Sequence, residues 1–177
     1  MKNSQRNFSE KDILQTGKFL AGIAAFFLFF WFLFSALPLE WFEYFYAFFS
    51  LEFLKIIGFI GYLGNGEPIQ IFLENFPGVI EISFLCTGLL ELWIVWSAVL
   101  ASFGIELRKR ILGIVAATIF LIGFNFFRIL ATILIIAWFN LEAGDLAHGI
   151  LFKVFLFFSI AGFYYYWFNW ATKAKHV

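Results

Sequence analysis

Few polar residues in this chain could do chemistry, and three of them are a thiol, a guanidinium and an imidazole. Cys86 is the single cysteine of the 177 residues and lies in the stretch EISFLCTGLLE. Asn125 and Arg128 lie three residues apart in NFFR, and His148 follows EAGDLA. A thiolate is a nucleophile, and a nearby cation or a helix N-terminus lowers the thiol pKa. These residue types therefore fit nucleophilic catalysis by cysteine, with a histidine acid or base and a cation for the oxyanion.

The composition of the chain indicates whether its helices and strands lie in water or in lipid. Hydrophobic residues make up 63% of the sequence and charged residues 14%, with 29 phenylalanines and a formal net charge of zero. A soluble domain of this size cannot bury so much apolar surface, so the chain must lie in lipid. No basic stretch is long enough to suggest binding of nucleic acid. One cysteine excludes an internal disulfide and a cysteine-rich zinc cluster. A metal site is not expected, since its ligands would be one cysteine and one outer histidine, and no cofactor is expected.

Apolar runs of about 20 residues predict membrane-spanning helices. Four such runs cover approximately residues 17–37, 86–105, 111–139 and 149–170. The first is too long for a signal peptide and is interpreted as a retained anchor. The chain is therefore predicted to be an all-α polytopic membrane protein, a single domain over residues 1–177 with about four transmembrane helices. The run 111–139 exceeds the membrane thickness, and either a tilt or a break after Arg128 would accommodate it.

Basic residues predict the orientation, because they concentrate on the cytoplasmic side. They form three clusters, before the first span, between the second and third, and after the last: Lys2, Arg6, Lys11 and Lys18; Arg108, Lys109 and Arg110; Lys173 and Lys175. Four spans with residues 1–16 and 171–177 in the cytoplasm satisfy this rule. The protein would then be a multi-pass plasma-membrane protein with Cys86 on the outer side.

Between the first two predicted spans, the sequence favours a small outer structure. Residues 40–64 are apolar and aromatic but carry Glu43, Glu52 and Lys55, which favours a helix in the outer interface over another span. A re-entrant or tilted segment is the alternative. PIQIF and VIEIS then alternate at period two around LENFPG, which predicts a β-hairpin that leads directly to Cys86.

Depth in the membrane predicts that the three reactive residues meet. With a rise of 1.5 Å per residue, Arg128 lies roughly 26 Å above the cytoplasmic end of its span, and Cys86 roughly 29 Å above the end of its own. His148 begins the last predicted span at its outer end. We therefore expect the three side chains at one outer level, with Thr118 and Thr132 extending the polar face of Asn125 and Arg128.

The remaining polar residues near this level have supporting or structural interpretations. Thr87 and Gly88 follow the thiol directly, and the glycine would let a helix or a substrate backbone approach closely. Glu91 and Lys153 lie roughly 7 Å inward from the outer ends of their spans, so that an ion pair between them could hold the spans in register. Glu91 could instead pair with Arg128.

The sequence resembles the archaeosortase/exosortase family of membrane cysteine transpeptidases through three features in this order: CTG, NFFR and a histidine at the last span. The resemblance covers about residues 54–168. It implies Cys86 as nucleophile, Arg128 as oxyanion or positioning group, and His148 as acid and base, with Asn125 in support. It also implies substrates that are exported proteins with a C-terminal sorting signal, made of a short motif, a transmembrane helix and a basic tail. The acyl-enzyme would pass to an acceptor, for which a lipid is one candidate.

Two other classes of protein remain open on the residues alone. A non-enzymatic assembly protein would use the buried polar residues only to pack helices, and its activity would survive Cys86→Ser. A small transporter or channel would need polar residues through the whole membrane depth, whereas here they gather in the outer half. A glutamyl or aspartyl intramembrane protease would use acids at the same depth, and it is disfavoured because Glu91 has no clear carboxylate partner.

Overall fold

The protein is helical, with one small sheet. The computed structural model describes residues 10–74, 76 and 78–173. Lys2, Arg6 and Lys175, which contribute to the predicted orientation, lie outside this part, as do Asn75 and Pro77 of the predicted hairpin reversal. In chain order the helices and strands are α1 Glu10–Ser35, α2 Glu40–Ile56, β1 Gly61–Gly64, β2 Ile69–Leu73, β3 Ile80–Ile82, α3 Leu89–Leu100, α4 Leu107–Trp138, α5 Leu141–Leu146 and α6 Phe152–Thr172.

Three helices among the described residues are long and apolar enough to cross a membrane. They are α1, α4 and the continuous helical stretch Leu141–Thr172, which joins α5 to α6. The predicted second span is shorter than expected, because α3 has 12 residues and a length of about 18 Å, against a hydrocarbon core of about 30 Å. The prediction of a polytopic helical membrane protein is confirmed, and three of its four spans have a counterpart of sufficient length.

Helix α4 runs without a break from Leu107 to Trp138. Of the two alternatives for this long apolar run, a break after Arg128 is therefore wrong. Its 32 residues correspond to about 48 Å, well above the thickness of the hydrocarbon core. The C-terminal part of α4 thus extends to a level where it can pack against elements outside the spanning helices.

The segment before Cys86 combines a helix with a three-stranded antiparallel sheet of order β1-β2-β3. The predicted hairpin is present as β2 and β3, with Ile69 opposite Ile82 and Ile71 opposite Ile80. The predicted interfacial helix ends earlier than expected, at Ile56, and residues 61–64 form β1 instead. The position of α2 in the membrane interface stays a prediction.

Two apolar clusters build the interior, and α4 contributes to both. The first cluster packs α1, α3, α4 and α6 around Trp93, with Ala117 and Leu121 from α4. The second packs α2 and the sheet against Ile129 and Ile133 of α4. Asn125 and Arg128 lie on α4 between these two sets of contacts, so the polar residues occupy the seam between the spanning bundle and the α2–sheet layer.

Candidate active site

The nucleophile candidate lies in a tight turn between strand β3 and helix α3. Phe84, Leu85 and Cys86 form one 3₁₀ turn, closed by a hydrogen bond of 2.8 Å from the Cys86 amide to the Ser83 carbonyl. Gly88 follows with φ +72°, a left-handed conformation that favours glycine, and α3 begins only at Leu89. The expectation that Cys86 opens the helix is therefore wrong. The thiol lies in the turn that precedes the helix.

Two side chains from α4 hold this turn by its backbone. Asn125 donates from Nδ2 to the Cys86 carbonyl at 2.6 Å, and Arg128 donates from Nη2 to the same oxygen at 3.1 Å. A longer contact of 3.5 Å joins Arg128 to the Leu85 carbonyl. Both α4 side chains are deeply buried, with exposures of 2% and 3%. Their spacing of three residues puts them on one helix face, and that face fixes the nucleophile turn.

Thr87 and Gly88 complete the turn, each in a different way. The Thr87 hydroxyl donates to the Phe84 carbonyl at 2.7 Å and accepts from the Leu89 amide at 3.4 Å. A Cβ atom on Gly88 would lie 3.0 Å from Cγ of Asn125, which is closer than most packed contacts allow. Gly88 thus permits both the left-handed backbone and the close approach of Asn125 to the Cys86 carbonyl.

His148 reaches the thiol from a π-helical turn. Residues 147–151 form this turn between α5 and α6, inside an otherwise continuous helix. Such turns change the direction of side chains within a helix and occur often at functional sites. The expectation that His148 begins the last helical span is wrong, since this helical stretch already starts at Leu141.

The Cys86 thiol has an unusually low pKa. Burial raises this pKa, but hydrogen bonds with His148 and Ser83 lower it more strongly, and the result is a fall from 9.0 to about 7. The Ser83 hydroxyl lies 3.5 Å from the sulfur. Because the thiolate is the reactive form, a pKa of about 7 gives a large nucleophilic fraction near neutral pH. The structure thus brings Cys86 and His148 together, while Arg128 binds the backbone of the same residue.

Comparison with protein-family models matches residues 8–166 to the transmembrane exosortase family (Exosortase_EpsH). The match covers most of the chain and includes the nucleophile turn, NFFR of α4 and the π-helical turn. The chain belongs to the transmembrane exosortase family. No curated protein and no solved structure gives a match. The resemblance carried by CTG, NFFR and the last-span histidine is confirmed at the level of the family.

In this exosortase, the Arg128 guanidinium is buried without a carboxylate partner. A salt bridge of 2.8 Å joins Lys55 and Glu52, and among the described residues none is found for Arg128. The Nε atom of Arg128 is buried and makes no hydrogen bond. A buried charge without a counter-ion is unfavourable by several kcal/mol unless another interaction offsets it. The arrangement is suited to a group that gains negative charge during a reaction.

The other polar residues predicted from the sequence make no hydrogen bond to the Cys86 turn among the described residues. Glu91 is half-buried in the first turn of α3 and Lys153 is exposed on α6, and within the described residues neither forms an ion pair. The predicted Glu91–Lys153 pair is therefore wrong, and so is a pair of Glu91 with Arg128. Thr118 accepts a hydrogen bond of 3.0 Å from Trp96 Nε1, and Thr132 donates to the Arg128 carbonyl at 2.9 Å.

Sequence reasoning missed two side chains at this site. Ser83 touches the thiol, and its position three residues before Cys86 is a signal that could have identified it. Tyr46 of α2 is buried near Asn125 and Arg128, and burial raises its pKa, opposed by a hydrogen bond with Asn125. Nothing in its aromatic surroundings distinguishes this tyrosine. An apolar cavity of about 370 Å³ lies beside Tyr46, Thr87 and Gly88.

Proposed function

We propose that this exosortase is a sortase-like cysteine transpeptidase that cleaves C-terminal sorting signals of exported proteins. The observation that carries the proposal is the pairing of Cys86 with His148, which lowers the thiol pKa to about 7, in a turn that Asn125 and Arg128 hold from α4. A thiol that merely packs helices has no need of a histidine partner or of a lowered pKa. The family match supports the same chemistry.

The reaction follows from the arrangement of these groups. The Cys86 thiol first gives its proton to His148. The thiolate then attacks the carbonyl carbon of the scissile peptide bond, and the negative charge passes to the carbonyl oxygen. Arg128 stabilises that oxyanion or keeps the turn in the geometry for attack. When the C–N bond breaks, His148 gives its proton to the leaving amine, and the acyl group stays on sulfur as a thioester. An acceptor then attacks the thioester, His148 takes its proton, and Cys86 is released.

The substrates proposed are exported proteins with a short motif, a transmembrane helix and a basic tail at the C-terminus. The acceptor is a nucleophile at the membrane, for which a lipid remains the candidate. The basic start of α4 supports an outward-facing thiol, because it contains Arg108, Lys109 and Arg110 and would lie in the cytoplasm. The apolar cavity beside Thr87 and Gly88 offers space for an apolar group of the substrate next to the nucleophile turn.

Processing in cells tests the proposal. A protein with a tripartite C-terminal signal is co-expressed with the exosortase, and loss of the signal is followed as a mass change. Cys86→Ser should abolish processing, because a serine hydroxyl beside one histidine is a far weaker nucleophile. Arg128→Lys should reduce processing by about 100-fold, the usual effect of removing one oxyanion donor.

Matched variants separate chemistry from folding. Arg108→Lys makes the same change at an exposed residue in the first turn of α4 and should leave processing unchanged. Ser35→Ala removes a small polar group at an exposed position and should do the same. Full processing by Cys86→Ser would refute the nucleophile and would favour a non-enzymatic membrane assembly protein.

A further inference from the structure

One acidic residue, Glu43 of α2, is buried although it is outside the reaction just described. Its exposure is 8%, whereas Glu40 on the same helix is exposed. Carboxylates are rarely buried in proteins unless a partner compensates the loss of water. Within the described residues Glu43 has no basic partner, and neither of its oxygens is a buried atom without a hydrogen bond. Its partners must therefore be sought in the backbone.

The partners of Glu43 are two backbone amides, each at the first residue of an element. Its carboxylate accepts hydrogen bonds from the backbone N–H groups of Ile69 and Phe84. Ile69 is the first residue of β2 and pairs with Ile82, the last residue of β3. Phe84 is the first residue of the 3₁₀ turn that ends at Cys86. One side chain of α2 thus connects strand β2 to the start of the nucleophile turn.

The start of this turn has no other side-chain cap. Ser83 occupies the capping position, but its side chain makes no capping hydrogen bond. Its hydroxyl lies 3.5 Å from the Cys86 sulfur instead. The first amide of a helical turn needs an acceptor, and a carboxylate is favourable there because of the positive end of the turn. Glu43 can provide that acceptor, which leaves the Ser83 hydroxyl to interact with the thiol.

We infer that Glu43 is a positioning residue for the nucleophile: it caps the Cys86 turn from α2, so that Ser83 and His148 meet the thiol. The inference rests on the proposed role of Cys86. Loss of the carboxylate frees the Phe84 amide, which draws the Ser83 hydroxyl back to the cap. The turn then loosens, and the thiol moves away from the groups that favour its ionised form.

The charged groups around these residues determine the direction of the effect. Burial raises the pKa of Glu43, the two amides lower it, and the acidic residues Glu40 and Glu67 raise it further. On the other side of the turn, Ser83 and His148 lower the pKa of Cys86, and Arg128 binds its carbonyl. Removal of Glu43 therefore acts on the thiol through the turn, and the pKa of Cys86 should move toward 9.0.

Alkylation of Cys86 by iodoacetamide, followed by mass spectrometry over a range of pH, tests this inference without a substrate. Cys86 is the single cysteine, so the signal has one source. Near pH 7 about half of the thiol is ionised, against about one part in a hundred for a pKa of 9.0, which limits the fall in rate to about 50-fold. Glu43→Ala should slow alkylation near pH 7 by about 10-fold or more, and all variants should converge at high pH.

Glu43→Gln keeps the shape of the side chain but has one acceptor oxygen for two amides. Its alkylation rate near pH 7 should therefore fall less than that of Glu43→Ala, and its melting temperature should be closer to that of the parent. Glu40→Gln is the matched control on the same helix and should leave the pH profile unchanged. An unshifted profile in folded Glu43→Gln and Glu43→Ala, or a rate reduced equally at every pH, would overturn the inference. Absence of a thioester on Cys86, together with a shifted pH profile of alkylation in the Glu43 variants, would refute the proposed reaction but not the positioning role of Glu43.

Discussion

Cys86, Asn125 and Arg128 illustrate what residue types can and cannot predict. A single thiol, a cation and an imidazole at matching depths are enough to suggest nucleophilic catalysis. Residue types do not predict which atoms make contact, since Asn125 and Arg128 bind the Cys86 carbonyl. That contact depends on the path of the backbone through the turn, which no spacing of polar residues encodes. The predicted ion pair of Glu91 failed for a related reason, because equal depth does not put two residues on facing sides of their helices.

The pH dependence of Cys86 alkylation follows from its contact with His148. Because the pKa is lowered to about 7, the rate in the parent protein should rise as pH passes through about 7 and level off well below 9.0. His148→Gln removes the imidazole, so the rise should move to higher pH and the rate near pH 7 should fall by about 10-fold. The measurement is the iodoacetamide rate as a function of pH.

The other histidine of the chain provides the control for this experiment. His176 lies outside the described residues and has no proposed role, and His176→Gln should reproduce the parent profile. A His148→Gln profile that coincides with the parent profile would show that the imidazole does not set the ionisation of the thiol.

At the scale of elements, the long apolar runs were predicted well, but the residues at which the helices begin and end were not. The run 86–105 contains the short helix α3 because Gly88 turns the chain into a left-handed conformation and α3 ends at Leu100. Strand β1 was missed because GYLG comes soon after an apolar aromatic helix and lacks an alternating pattern. The π-helical turn that carries His148 has no sequence signature, since it differs from an α-helix only in the spacing of its hydrogen bonds.

The connection between the nucleophile turn and helix α3 depends on Gly88. Gly88→Ala should destabilise the protein by about 1–2 kcal/mol, the usual cost of a left-handed conformation for a residue with a Cβ atom. The new Cβ would also push against Asn125, so the hold on the Cys86 carbonyl should weaken and processing should fall. Thermal unfolding in detergent and the processing assay measure the two effects.

Gly123→Ala is the matched control for this substitution. Gly123 lies in α4 with open space around its Cα atom, and alanine is favoured over glycine inside a helix. The control should therefore be neutral or slightly stabilising. Equal stability and equal processing in the two variants would contradict the role assigned to the left-handed residue.

At the scale of the whole molecule, the site lies where two apolar clusters meet on one helix. Composition alone predicted a membrane protein, and hydropathy predicted most of its spans. The α2–sheet layer could be predicted only in part, since its core forms from residues distant in sequence, such as Leu54, Ile71 and Ile133. A polar site at this seam has contacts with both the membrane bundle and the α2–sheet layer. A substrate that arrives as a transmembrane helix would reach such a site laterally.

The most direct test of the central claim is mass spectrometry of Cys86 after co-expression with a protein that carries a tripartite C-terminal signal. The His148→Gln variant should form the acyl-enzyme slowly, but it also lacks the base that activates the acceptor. A fraction of the peptide that contains Cys86 should therefore carry the substrate as a thioester sensitive to hydroxylamine. The Cys86→Ser variant should carry none. A signal that is cleaved normally while Cys86 stays unmodified in every variant would contradict nucleophilic catalysis by this thiol.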